Sequence, residues 1–216
     1  MPATRPQDDV RAGALAAATH LFGAHGFDGT SLQAIADAVG VSKPAVLHHY
    51  PSKEHLRQAV LDGILEHWNQ RLPHLLLAAS AGLGRFDAVF GELVRFFTAD
   101  PDRARILVRE ILDRPEELRR TLRRVMRPWL TAVAQYVRVG REAGRHYPDV
   151  DEEAYVLHVI QLAVMATACG SVTSSVLEGD VAARYDRELV RIAKSSLFSV
   201  EAARGPRTAP KKKQPR

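Results

Sequence analysis

Apolar residues between positions 30 and 50 recur at the period of two short helices. Leu32, Ile35, Ala36 and Val39 fall at i, i+3, i+4 and i+7, the stripe by which a helix buries one face. Thr30 and Gln33 stand in capping-box spacing, a hydroxyl to accept from the first turn and an amide to reach back, so a helix is expected to begin here. Gly40 ends it, because a residue without Cβ turns left-handed at little cost. Ser42 then offers an N-cap and Pro44 falls in the first turn of a second helix, expected over about 42–49. On that helix Val46 and Tyr50 face inward. Pro44, Ala45 and His48 face outward, flanked by Leu47 and His49, with Lys43 at the opening. Ser52 caps a third helix whose first residue is Lys53. A cation there opposes the helix dipole by about 0.3–1 kcal/mol, which a bound anion such as a phosphate would offset.

The same reading along the rest of the chain gives only helices. A supporting helix is expected over 8–25, with Val10, Ala14, Ala17, Ala18, Leu21 and Phe22 on one side and Gly26 after it. His20 and His25 lie five apart, poor spacing for two ligands on one face, and read as surface or capping residues. From Ser52 a connector runs to about Leu72, where Pro73 is expected to end it. Residues 79–85, with Gly82 and Gly84, read as a loop. Further helices are expected at about 86–99, 102–112, 115–143, 151–177 and 181–200, separated by Pro or Gly breaks. The fold class is therefore all-α, with about nine helices.

Composition changes this picture in three places. With 216 residues and 46% hydrophobic content the chain can bury a sizeable core. The net charge of +5 is uneven. Residues 204–216 hold six Lys or Arg and no acid, and the twenty-four bases and twenty-five acids of residues 1–203 nearly cancel. Residues 1–60 carry five of each sign, so any affinity for nucleic acid rests on arrangement rather than bulk charge. The tail from Arg204 lacks apolar residues and is expected to be disordered, adding at most non-specific phosphate attraction. The arginines of Arg103–Arg127 alternate with Asp102, Glu110, Asp113, Glu116 and Glu117, the pattern of a solvated, ion-paired face.

The lone Cys169 fits a reducing compartment and reads as a buried small hydrophobe. Met1 to Val10 has no apolar run, so no secretory signal is expected, and the chain is placed in the cytoplasm. Val156 to Leu177 is 22 residues without Asp, Glu, Lys or Arg, but its His158, Gln161 and five hydroxyl residues would be costly against lipid. It is read as a helix buried on nearly all sides, not a membrane span.

Phe22, Gly26, Thr30, Ile35, Ala36, Gly40-Val41-Ser42-Lys43, His49-Tyr50 and Ser52-Lys53-Glu54-His55-Leu56 fall in the order and spacing of the tetracycline-repressor-like (TetR) family of bacterial regulators, which residues 10–60 resemble. Leu47 stands where the family usually has tyrosine, and Pro44 where it usually has glycine or another small residue. The resemblance implies a helix-turn-helix DNA-binding domain over 1–55, a helical ligand-binding and dimerisation domain over 56–203, and the tail 204–216. It implies that Lys43, Pro44, Ala45 and His48 face base edges of double-stranded DNA, while Thr30, Ser31, Gln33, Ser42, His49, Tyr50 and Lys53 hold phosphates or the unit's position on them. It also implies a cavity for a small molecule, with Trp68, Phe90, Phe97, Trp129, Gln161 and Met165 as its candidate lining. The last two helices, through Ala163, Ala166, Ala168, Gly170, Leu189, Ile192, Ala193 and Leu197, would pair with a second copy. The expected function is that of a homodimeric repressor on a palindromic operator, released by an apolar or amphipathic ligand. The alternative is a DNA-binding protein without a small-molecule effector, architectural or controlled by a partner protein. No HExxH, CxxC, GxSxG or phosphate-binding glycine loop occurs, so neither an enzyme, a cofactor nor a metal site is expected.

Overall fold

A computed structural model describes residues 7–78, 83–179 and 181–199. Ten α-helices occupy these residues: α1 (Gln7–His25), α2 (Leu32–Val39), α3 (Lys43–His49), α4 (Lys53–Ala78), α5 (Leu83–Thr98), α6 (Pro101–Asp113), α7 (Pro115–Glu142), α8 (Glu152–Ala168), α9 (Gly170–Thr173) and α10 (Val181–Ser195). Among the described residues there is no strand, only an isolated bridge between His146 and Phe198. The basic tail lies outside the described residues.

Three elements depart from the sequence expectation. Pro73 does not end the connector, and α4 continues to Ala78. The proline removes one bond, to the carbonyl of Asn69, and lies exposed where water can reach; the Leu75-Leu76-Leu77-Ala78 run that follows has high helix propensity. The stretch expected as one helix over 151–177 breaks at Cys169 and bends by 64°. Gly170, Ser171, Val172, Thr173 and Ser174 are weak helix formers, and their hydroxyls bond back to carbonyls, as Thr173 Oγ1 does to Cys169 at 3.1 Å. This helix is not buried on nearly all sides either: Met165 and Val172 lie exposed. Cys169 itself is half-buried, its Sγ 3.4 Å from Met165 Sδ.

One apolar core runs without interruption from Ala14, Ala18 and Phe22 of α1, through Ile35 and Val46, along Leu56, Val60 and Ile64 of α4, to Phe90, Phe97, Leu130 and Val164. Close approach of α1 and α6 depends on Gly23, where a Cβ would lie 2.6 Å from that of Asp102. Beside this contact His20 Nδ1 lies 2.8 Å from Asp102 Oδ2, and Arg109 donates to the carbonyl of Ala24 at 3.3 Å. Asp102 and Glu110 are buried, so the Arg103–Arg127 stretch is not a wholly solvated face, although Arg103, Arg105 and Arg119 do pair with nearby acids.

At the junction of α4, α6 and α7 the Arg57 guanidinium is only 3% exposed and meets Glu54, Glu110 and Glu117. Burial alone would lower its pKa, but the surrounding carboxylates raise it on balance. Burial raises the pKa of Glu110, and the nearby Arg57 and Arg114 only partly oppose it. Arg57→Met therefore leaves a buried carboxylate without its partner and should cost about 3–5 kcal/mol of stability. Because the folded pKa of Glu110 is raised, that deficit should shrink as pH falls through it and the carboxyl is neutralised. Denaturant melts of the variant from neutral to mildly acidic pH, with Arg57→Met/Glu110→Leu as the compensated control, check both statements.

Candidate nucleic-acid interface and effector cavity

The two short helices of the N-terminal unit are set by their caps. Ser31, not Thr30, caps α2, its Oγ accepting from Ala34 N–H at 3.0 Å, and Gln33 donates to Asp37 instead of reaching back. Thr30 is 3% exposed, and its hydroxyl donates to the Gly26 carbonyl at 2.8 Å with that of Leu21 at 3.1 Å. Its hydroxyl ties the turn after α1. Gly40, at φ +72°, makes the left-handed C-cap, with its N–H and that of Val41 returned to the end of α2. Ser42 caps α3 with Pro44 in its first turn.

This places most of the expected outward face outside. Ser31, Gln33, Ser42, Lys43, Pro44 and His48 are exposed, Ala45 and His49 half-buried, and Val46 fully buried. Tyr50 is buried too, its hydroxyl donating to the Arg11 carbonyl at 3.2 Å, so it positions α3 against α1. Lys53 has the compensation that its place at a helix start demands, within the chain. Its Nζ donates to the Thr30 carbonyl at 2.7 Å and lies 4.2 Å from the centre of the Phe27 ring.

A second feature lies between α4, α5, α6, α7, α8 and α10. It is a cavity of about 1090 Å³, sufficient for a drug-sized molecule. Phe90, Phe97, Trp129, Gln161 and Met165 line it as the sequence suggests, whereas the side chain of Trp68 lies outside the described residues. Of the wall supplied by α7, the sequence pointed to Trp129 alone. Leu118, Leu122, Met126, Leu130, Val133 and Val137 repeat at helical spacing, but the arginines between them drew attention to the opposite face. Sequence reasoning also missed Arg85, Arg123, Arg127 and His158 at the lining.

Helix α6 touches both features. Leu107, Val108 and Ile111 line the cavity, while Asp102, Arg109 and Glu110 on its other sides engage α1 and α4. A smaller hollow of about 140 Å³ at that junction is bounded by Phe27, Arg57, Arg109 and Arg114.

Residues expected to meet a second copy divide differently from the sequence reading. Ala163, Leu189, Ala193 and Leu197 are buried inside this chain and are unavailable to a partner. Each helix has two apolar faces, and spacing alone does not say which is turned inward. The outward one carries Val172 and Val176, 71% and 81% exposed, while the half-exposed Leu157, Met165 and Ile192 stand at the open edge of the cavity.

The family profile described as "Bacterial regulatory proteins, tetR family" matches residues 14–60, from within α1 to the start of the connector. The chain is 36% identical over 109 residues, 47% of its length, to the HTH-type transcriptional regulatory protein RaaS of Mycobacterium tuberculosis, and it spans 51% of that protein. It is 50% identical over 54 residues, 25% of its length, to the HTH-type transcriptional regulator RutR of Escherichia coli, spanning 26% of it. The chain thus spans about half or less of the length of the curated relatives it matches. Across the fold it superposes on the ketosteroid transcriptional regulator KstR2 of Mycobacterium tuberculosis with a TM-score of 0.69 at 16% identity, covering 88% of this chain and 95% of the other. Residues 14–60 thus carry the N-terminal helix-turn-helix segment of the TetR family of bacterial regulatory proteins.

Proposed function

We propose that the chain is a homodimeric transcriptional repressor that binds a palindromic operator through α3 and releases it when a small apolar or amphipathic molecule occupies the cavity. The observation that carries the reading is the presentation of α3. Its apolar side is locked by Val46 and Tyr50, and its capped start offers Lys43, Pro44 and His48 to solvent. A major groove admits a helix so presented; Lys43 can donate to guanine, and Pro44 and Ala45 can touch a thymine methyl. Ser31, Gln33, Ser42 and His49 are placed to meet phosphates. On this reading residues 1–55 read DNA, 56–203 sense ligand and dimerise, and 204–216 add salt-sensitive attraction from a cytoplasmic protein.

Dimerisation is supported by the outward apolar face at Val172 and Val176, too exposed for a solitary chain to leave uncovered. A two-fold pair would set two copies of α3 in successive major grooves. Ligand response is supported by the cavity and by α6, which lies between it and the DNA-binding unit. A ligand that repositions α6 would act on α1 and α4 together, a coupling of about 1–3 kcal/mol.

Footprinting on the DNA flanking the gene, across a salt series, should reveal one short protected palindrome. Lys43→Ala should cost about 1–3 kcal/mol and relax sequence preference. Lys53→Ala should cost roughly 1 kcal/mol of stability in denaturant melts through the lost Thr30 contact and leave the salt slope of operator binding unchanged. Unlocalised protection that vanishes on removal of residues 204–216 would refute the assignment of α3. Val172→Glu combined with Val176→Glu should yield a monomer in light scattering and reduce operator affinity by roughly a hundredfold. A dimer with unchanged affinity would refute the interface.

A further inference from the structure

The cavity wall is asymmetric in charge. Arg85, Arg123, Arg127 and His158 contribute to the lining, and no aspartate or glutamate does. Two of the arginines stand one turn apart on α7 at the mouth. Arg127 is 66% exposed and pairs with Glu153 at 3.2 Å, whereas no carboxylate among the described residues lies within ion-pair distance of the exposed Arg123. Just inside, the indole Nε1–H of Trp129 is buried and has no acceptor. Indole nitrogen only donates, and a buried donor of this kind is ordinarily satisfied. Beyond Trp129 the wall is mainly apolar, with Val133 and Val137 on α7 and Phe86 and Phe90 on α5, and Arg85 and Tyr136 at its far end. Between Leu118 and Val137 α7 follows the cavity for about 28 Å at 1.5 Å per residue, an elongated shape.

We infer that the ligand is a single-headed anionic amphiphile, an aliphatic carboxylate in chemical class. Its head is held at Arg123 and Arg127, and its tail runs inward past Trp129. The inference rests on the reading of this cavity as the effector site and adds the sign and placement of the charge. A cationic amphiphile would find no counter-charge in the wall and would lie against two guanidinium groups. A neutral one would satisfy the apolar wall but leave Arg123 without an anion, Arg127 being paired with Glu153. Arg85, at the other end, has its guanidinium 5.7 Å from the Tyr136 ring centre, a placement that occupies it in the wall. The head site is exposed, so its attraction is screened by salt.

Titration calorimetry of the full chain with dodecanoate, dodecanol and dodecyltrimethylammonium, each below its aggregation concentration, separates head from tail. At low salt the carboxylate should bind roughly fivefold to tenfold more tightly than the alcohol, and the ammonium more weakly than either. Arg123→Gln with Arg127→Gln should remove the carboxylate's advantage and leave the alcohol's affinity unchanged. An ammonium that binds as well as the carboxylate, or an advantage that survives the double substitution, overturns the inference while leaving the cavity reading intact. Loss of the advantage in Arg85→Gln alone overturns the placement of the head. Absence of binding by all three amphiphiles overturns the cavity reading itself.

Discussion

The burial of Arg57 constrains the rest of the structure more than any other single interaction. A guanidinium withdrawn from water must be matched by carboxylates, and here they come from three helices: Glu54 of α4, Glu110 of α6 and Glu117 of α7. Such a cluster contributes little net stability, because desolvation consumes much of the Coulombic gain. What it supplies is definition. Sliding α4 past α6 by a turn would separate the guanidinium from the buried Glu110, so their register is fixed where the N-terminal unit meets the remainder of the chain.

That fixed point bears on α6, which is engaged on two sides at once. Toward the cavity it presents Leu107, Val108 and Ile111; toward α1 it presents Asp102, packed on Gly23, and Arg109. A packed contact as tight as that at Gly23 does not deform gradually, so a shift of α6 must carry α1 with it or break the contact. An equilibrium is biased only by a ligand that favours one of its states, and here the favoured state would be defined by which α6 position leaves room in the cavity.

Much of this architecture was legible in the sequence because short-range chemistry decides it. Gly40, Ser42 and Pro44 fix the turn and the start of α3 through the backbone alone, and the structure keeps them as read. The errors fall where a choice depends on distant partners. Thr30 and Ser31 are equally good caps by composition; Thr30 is taken by carbonyls of the preceding turn, which left Ser31 to cap α2. Lys53 reads as a cation seeking an anion, yet Phe27 and the Thr30 carbonyl, both contributed by the turn before α2, already attend to it. Pro73 is a stop signal only when the following residues do not favour a helix. The charge asymmetry of the cavity could not be read, because Arg85, Arg123, Arg127 and His158 come together only through packing.

The long uncharged stretch from Val156 to Leu177 shows how one composition can serve two surfaces. As a straight helix it would have to hide every apolar side chain on one axis. The break at Cys169 and Gly170 divides it. The first part inserts Val156, Ala163 and Val164 into the core, and the second turns away by 64° and carries Val172 and Val176 outward. The hydroxyls that follow the glycine bind carbonyls of their own turn, so the bent segment satisfies its backbone without needing neighbours. An apolar stretch long enough to cross a bilayer thus becomes core on one side of the bend and an uncovered apolar face on the other. A second copy of the chain would cover that face by the same physics that buries the first half.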